Sequence, residues 1–427
     1  MFLHFIITDI HQFVNTAYFD TLLFEIKPQL WYDMKNMLKT ETSRMNTDVS
    51  IVRCDEYEAE ACRCALESVL APLGGLDWVQ PGMRIAIKVN LVSAMPPESA
   101  ATTHPILLCE LIKLLTARGA AVVVGDSPGG LFNAAHLAHV YDVTGMHACE
   151  EVGAQLNQNF ARSEAVFPDA VCAHQFSYTA WLDGADAIID FCKLKSHGMM
   201  GMSNAAKNLF GVIPGTMKPE YHYKYPDPGD FANMLVDLNE YFKPRLCICD
   251  AITCMEGNGP TQGTPVHLGA VAAACSSHKL DLLCADLIGL TAKDVPTLAA
   301  ALARGLIPPT AAELHVCGDY AALRKPDFDV PEAQKPIAAF HVGSGIIGKI
   351  TASIARRAFR SDPSVHAPEC IGCGKCANVC PAKAIKMKNK LPKIDRSACI
   401  HCFCCQEFCP KGAMKVRRTF IARLLNR

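Results

Sequence analysis

The 427-residue sequence predicts an α/β protein, a mainly parallel sheet with helices on both faces, followed by a small α+β module rich in cysteine. Three observations carry that prediction. From residue 84 onward, short runs rich in valine, isoleucine and alanine alternate with helical segments, as βαβ units do. Half of the chain is apolar and only 19% is charged, enough to fill a large core. Nine of the 22 cysteines then crowd between positions 370 and 409.

The elements follow in order. Residues 1–44 do not resemble what comes after, and Met45 precedes a natural first strand ending Val49-Ser-Ile-Val-Arg53. The reading is therefore that translation starts at Met45 and residues 1–44 are an extension. The apolar start, Met1 to Ile7, has no basic stretch before it and meets Asp9 and His11, so it is not read as a signal peptide. Arg84–Asn90 is a strand, and Thr102 and Thr103 are candidate caps for a helix over His104–Arg118, which Gly119 closes. Ala120–Val124 is the next strand of this first βαβ unit. Further strands are expected at Ala187–Phe191, Arg245–Cys249, Leu268–Ala274 and Ile337–Val342. The α/β domain thus spans 45–345. A linker at 346–366, a cysteine module at 367–416 and a basic tail at 417–427 complete the chain.

The module carries two copies of C-x2-C-x2-C-x3-C-P. They are Cys370, Cys373, Cys376, Cys380 with Pro381, and Cys399, Cys402, Cys405, Cys409 with Pro410. This is the spacing that holds two [4Fe–4S] clusters in bacterial ferredoxins, where the fourth cysteine of each run serves the other cluster. One cluster is therefore assigned to Cys370, Cys373, Cys376 and Cys409, the other to Cys399, Cys402, Cys405 and Cys380. Zinc sites use C-x2-C pairs but do not need four cysteines ending in Cys-Pro twice. Cys404 fits no ligand slot and is read as a packed thiol.

In open parallel sheets, sites form beyond the carboxyl ends of strands. Those ends are unusually polar here, carrying Lys88 and Asn90, Asp126 and Ser127, Lys193 to His197, and Asp250 with Glu256. Lysines there suit an anionic substrate. Acids and histidines there suit proton transfer. The candidate catalytic residues are Lys88, Asp126, Lys195, His197 and Glu256. Each has a plainer reading, Lys88 as an ion-pair member and Asp126 as an Asx-turn into Pro128.

Charge is uneven. Residues 368–427 hold 13 Lys and Arg against 3 Asp and Glu, while the chain as a whole has a formal net charge of −1. The basic module suits an acidic redox partner protein or its own acidic domain. Its basic residues have few interleaved aromatics, so no nucleic-acid partner is expected. No apolar run reaches transmembrane length. Thirteen further cysteines suit a reducing cytoplasm. Neither G-x-G-x-x-G nor G-x4-G-K-[ST] occurs, so nicotinamide and flavin cofactors lack sequence support.

The chain resembles the Domain of Unknown Function 362 proteins in the form carrying a C-terminal two-cluster ferredoxin domain. The resemblance rests on Ile87-Lys88-Val-Asn90-Leu, Thr103-His104-Pro105, Gly125-Asp126-Ser-Pro-Gly129, Lys193-Leu-Lys195-Ser-His197, Lys207-Asn208-Leu-Phe-Gly211 and Met255-Glu256-Gly-Asn-Gly-Pro260, in that order. Val89 stands where the family more often has Pro, and Ser196 where it more often has Thr. The resemblance implies occurrence mostly in anaerobic microbes and no agreed reaction. The expectation is an iron–sulfur oxidoreductase passing electrons between its clusters and a small anionic substrate. The alternatives are an electron-transfer protein without its own substrate and a cluster-containing binding or maturation factor.

Overall fold

The computed structural model describes residues 47–330 and 361–418. The extension 1–44, the strand expected at Ile337–Val342, most of the linker and most of the basic tail lie outside the described residues.

The large sheet begins at β1 (Val49–Arg53). Helix α1 (Ala59–Leu70) follows, capped by Glu58, whose side chain accepts the Ala61 N–H. Strand β2 (Arg84–Val89) shows why this stretch is buried on both faces. Ile85, Ile87 and Val89 pack with α1 on one side, while Ala86 joins a separate core on the other. Helix α2 (Pro105–Thr116) starts at His104, not at Thr102 or Thr103. The His104 ring accepts the Ile106 N–H, and Pro105 occupies the first helical position. Thr103 is instead committed to the sheet, accepting from Asn90 N and donating to Phe191 O.

Strand β3 (Ala121–Gly125), helices α3 (Ala134–Thr144) and α4 (Ala148–Glu151) and strand β4 (Ala154–Leu156) complete this half. A small hairpin of β5 (Arg162–Val166) and β6 (Gln175–Thr179) stands apart from the main sheet. Strand β7 (Ala187–His197) pairs at its far end with β8 (Gly201–Ser203). Helices α5 (Ala205–Asn208), α6 (Lys218–Lys224) and α7 (Pro228–Phe242) lead to β9 (Leu246–Glu256) and β10 (Thr264–Ala274). Helices α8 (Ser277–Leu287) and α9 (Pro296–Ala303) and the short strand β11 (Val316–Cys317) follow.

The sheet order is β11-β1-β10-β9-β7-β2-β3-β4, with β8 beside β7. The run from β9 through β4 is parallel, as predicted. Strand β10 is antiparallel to both neighbours, and the short loop 257–263 that joins it to β9 leaves no room for the crossover a parallel pair would need. Helices α1, α2 and α3 cover one face, and α7, α8 and α9 cover the other.

The cysteine module is closed by β12 (Ser361–Val365), antiparallel to β15 (Met414–Arg418). Between them lie α10 (Lys375–Asn378), the hairpin β13 (Ile385–Lys388) and β14 (Leu391–Ile394), and α11 (Cys404–Glu407). The β12–β15 ladder corrects the boundaries. Residues 361–366 belong to the module rather than to a linker, and Arg417 and Arg418 belong to its last strand rather than to a tail.

Candidate functional site

Two groups of thiols come together as the crossed assignment requires. Cys370, Cys373, Cys376 and Cys409 line one small cavity, although Cys409 belongs to the second run. The other four show the same crossing. Burial raises the pKa of the Cys399 thiol, and the neighbouring Cys402 and Cys380 push it further in the same direction. The Ala384 N–H points at the Cys380 sulfur at 3.2 Å, the kind of contact that steadies a thiolate. Among the described residues no three His, Cys, Asp or Glu side chains form a site for a single metal ion. The four-thiol sets fit a larger inorganic core better than a zinc ion.

The loops around the two runs are related by the 29-residue repeat but differ in one respect. Gly372 and Gly374 take left-handed conformations in the first. Their counterparts, His401 and Phe403, adopt positive φ as well, at 56° and 60°. A left-handed non-glycine residue costs about 1–3 kcal/mol. Phe403 offsets this by burying its ring in the core that α7 forms on the sheet. The second run is thereby anchored to the α/β domain.

Polar contacts complete the docking. Gln406 Nε2 donates to Asn258 O at 3.0 Å, Thr261 Oγ1 to Glu407 O at 3.1 Å, and Gln262 Nε2 to Cys409 O at 3.2 Å. Phe408 lies against Gly129, where an added Cβ would land on its ring. Gly129→Ala is therefore expected to keep both clusters but loosen the docked helix, because the backbone of one element and the ring of the other must part. Amide hydrogen exchange across Phe403–Phe408 reads this directly, and it is expected to rise.

Where the module meets the sheet there is a cavity of about 70 Å³. One water needs about 10–15 Å³ on the same measure, so the space admits a small ligand. Asp126, Lys195, Lys207, Lys218 and His222 line it from the α/β domain, and Cys404, Glu407 and Phe408 from the module. Cys404 adjoins Cys405 in the chain, so this wall is one residue from a cluster ligand.

The predicted residues divide. Lys195 Nζ donates to Asn90 Oδ1 at 2.8 Å and to Ala101 O at 2.7 Å at the cavity edge. Burial, with Lys207 and Lys193 nearby, lowers its pKa to about 7. Asp126 reaches the cavity while one oxygen accepts the Leu91 N–H and the other faces Lys88 Nζ at 2.7 Å. Lys88 itself is fully buried behind Asp126, held by Val89 O and Asn208 Oδ1, and does not line the cavity. His197 accepts the Met199 and Met200 N–H groups on Nδ1, which leaves its proton on Nε2. That nitrogen lies 3.0 Å from Glu407 Oε1, off the axis of a good hydrogen bond. Burial and Lys207 depress the His197 pKa to about 4, so it is neutral near pH 7. Glu256 stands apart from the cavity, where its carboxylate accepts the Asp329 N–H.

Four contributors were not among the predicted catalytic residues. Among the described residues Lys207 makes no hydrogen bond or close ion pair; burial lowers its pKa, with Glu407 acting in the opposite direction. Lys218 donates to Ser127 O, and burial lowers its pKa to about 8. His222 stacks on Phe231 at 4.4 Å with Nδ1 unpartnered. Glu407 is held ionised well below the usual carboxylate range. Burial opposes this, but His197, Lys207 and His222 outweigh it. The spacing of Lys218 and His222, four apart on α6, places both on one helix face and is the signal that sequence offers.

A second buried constellation lies nearby. Lys193 Nζ is 2.9 Å from Asp250 Oδ2 and 2.7 Å from Tyr57 OH, while Tyr57 donates to Asp250 at 2.7 Å. Every charge is matched, as in a structural network.

Comparison with known proteins agrees with this architecture. A 4Fe-4S dicluster domain matches residues 369–413, and the Domain of unknown function (DUF362) matches residues 85–286. A protein of Synechocystis sp. named thylakoid-associated protein sll1697 is 34% identical over 273 residues, 63% of this chain and 83% of its own length. The lactate racemase apoprotein of Thermoanaerobacterium thermosaccharolyticum is 12% identical, covering 58% of each chain with a TM-score of 0.37, too distant to inform the site. The protein is thus an iron–sulfur α/β protein that binds two [4Fe–4S] clusters. It belongs to the Domain of Unknown Function 362 family, in the form with a C-terminal dicluster domain. Among the described residues no helix is long and apolar enough to cross a membrane.

Proposed function

We propose that the protein is an oxidoreductase acting on a small anionic substrate held in the cavity between the sheet and the dicluster module. One observation carries this reading: the helix that bears Cys405 also forms a wall of a lysine-lined cavity, through Cys404, Glu407 and Phe408. A module that only relayed electrons to outside proteins would have no need to enclose such a space.

When bound, the clusters would supply single electrons. The side chains do the rest. Lys207, which faces the Glu407 carboxylate only through the local field and makes no hydrogen bond among the described residues, is the group with donors left to bind an anion. Lys195 and Lys218 flank it. Glu407 and neutral His197 form a proton-holding pair at the same wall, with the proton on His197 Nε2. Phe210 and Phe408 narrow the space and exclude water.

Two results are expected. Lys207→Gln should keep about eight iron per chain, the count of two cubanes, yet lose the effect of added small carboxylates or phosphate on the reduced-cluster EPR spectrum. If Lys207→Gln responds to anions as the native protein does, the cavity reading fails. The second concerns pH. A lysine is cationic below its pKa, so Lys195 and Lys218, at about 7 and about 8, lose charge as pH rises from 7 to 9. Anion affinity is expected to weaken by at least about tenfold over that range, equivalent to about 1.4 kcal/mol. Titration calorimetry at constant ionic strength measures it; affinity that is flat or rises with pH contradicts the assignment.

A further inference from the structure

The two thiol sets differ in their surroundings. In one set Cys380, Cys402 and Cys405 are buried and Cys399 half-buried, and the run of Cys399 to Cys409 is anchored on the sheet beside the cavity. In the other set Cys376 and Cys409 are buried, Cys370 is half-buried and Cys373 is exposed. Around that exposed edge the surface is basic. Lys375 and Lys411 line the thiol cavity, and exposed Lys390 lies at the same edge, its carbonyl 4.0 Å from the Cys370 sulfur and its backbone against Gly372. Two apolar side chains lie among these lysines, Ile371 at 60% exposure and Met387 at 36%. An apolar centre within a charged rim is the anatomy of a transient protein interface.

We propose that this face is the docking surface for an acidic one-electron carrier protein, which exchanges electrons with the cluster held by Cys370, Cys373, Cys376 and Cys409. Charge complementarity selects the partner. The chain's own undescribed segments offer no strongly acidic stretch: residues 331–360 carry Lys335, Lys349, Arg356, Arg357 and Arg360 against Glu332, residues 419–427 carry Arg423 and Arg427 with no acid, and residues 1–46 are close to neutral, with Asp9, Asp20, Glu25, Asp33 and Glu41 against Lys27, Lys35, Lys39 and Arg44. The exchange is a single electron with no bond made or broken. The carrier's cofactor is oxidised by one electron and the cluster is reduced by one, and no proton need move. The inference rests on the cavity reading only for where the electron goes next.

The test uses the full chain with both clusters, an acidic flavodoxin reduced to its hydroquinone as probe, and no small-molecule substrate. It therefore fails or succeeds independently of the cavity. Complex formation and the stopped-flow rate of cluster bleaching are both measured as salt is raised. Both are expected to fall by about tenfold or more from low to high salt, as for steered association. Combined Lys375→Glu, Lys390→Glu and Lys411→Glu should produce a comparable loss at low salt, with iron content and reduction by dithionite unchanged. Lys293→Glu, a reversal elsewhere on the surface, should have little effect. Salt-independent reduction, an unaffected triple variant, or an equal loss in Lys293→Glu would overturn the proposal.

Discussion

Replacing Lys88 with alanine is expected to destabilise the protein by about 3–5 kcal/mol, the cost of stranding one member of a buried ion pair. Lys88 is fully buried and Asp126 nearly so, with Nζ and Oδ1 2.7 Å apart. Without the ammonium, the Asp126 carboxylate keeps the Leu91 and Ser127 N–H groups but loses its direct ion-pair partner. Asn208 also loses a donor to its side-chain oxygen. Gly211 sits directly over the pair, where a Cβ would strike Asp126 Oδ1 and Lys88 Nζ, so Gly211→Ala disturbs the same contact. Lys88→Met with Asp126→Asn should recover much of the loss, because it removes both charges and keeps the volume. The midpoint of anaerobic urea unfolding reports it. A Lys88→Ala midpoint equal to the native one would mean that the pair is not buried as described.

Double cysteine replacement gives the second large effect. Cys380→Ala with Cys405→Ala removes two ligands from one cluster in the crossed arrangement. About four of about eight iron atoms should remain, on the count of two cubanes. Cys380→Ala with Cys376→Ala removes one ligand from each cluster and should disturb both. If each run instead held its own cluster, the outcomes would exchange. Iron and acid-labile sulfide analysis with EPR of the reduced proteins separates the two cases.

These two sites show how unevenly the sequence reveals the molecule. Cluster ligation is announced locally, because each run sets four thiols within eleven residues in a spacing whose fourth cysteine crosses to the other cluster. The parallel run of strands is also local in origin, because each βαβ unit declares itself by alternation. Strand β7 is harder. Lys193, Lys195, Ser196 and His197 end its apolar run, so the sequence reads as stopping at Phe191. The strand continues to His197 because Asp250, Tyr57, Asn90 and Glu407, all distant in sequence, meet those polar groups. Strand β10 reverses direction because only residues 257–263 join it to β9, too few for a crossover, and that loop is not read as a hairpin in the sequence. The cavity joins Lys207 to Glu407, and no pattern on either stretch announces the other. Glu256 shows the opposite error, a polar residue at a strand end whose partner is a backbone N–H away from the cavity.

The central claim is that the cavity's anion is felt by one cluster and not by the other. The most direct measurement is an anaerobic reductive titration followed by EPR, with and without small carboxylates or phosphate. It would be made on native protein and on Cys376→Ala, which leaves the cluster of Cys399, Cys402, Cys405 and Cys380 intact. The account predicts an anion-induced shift in line shape or midpoint that persists in Cys376→Ala and disappears in Lys207→Gln. A shift absent from every anion tested, or one that is lost in Cys376→Ala, would contradict it.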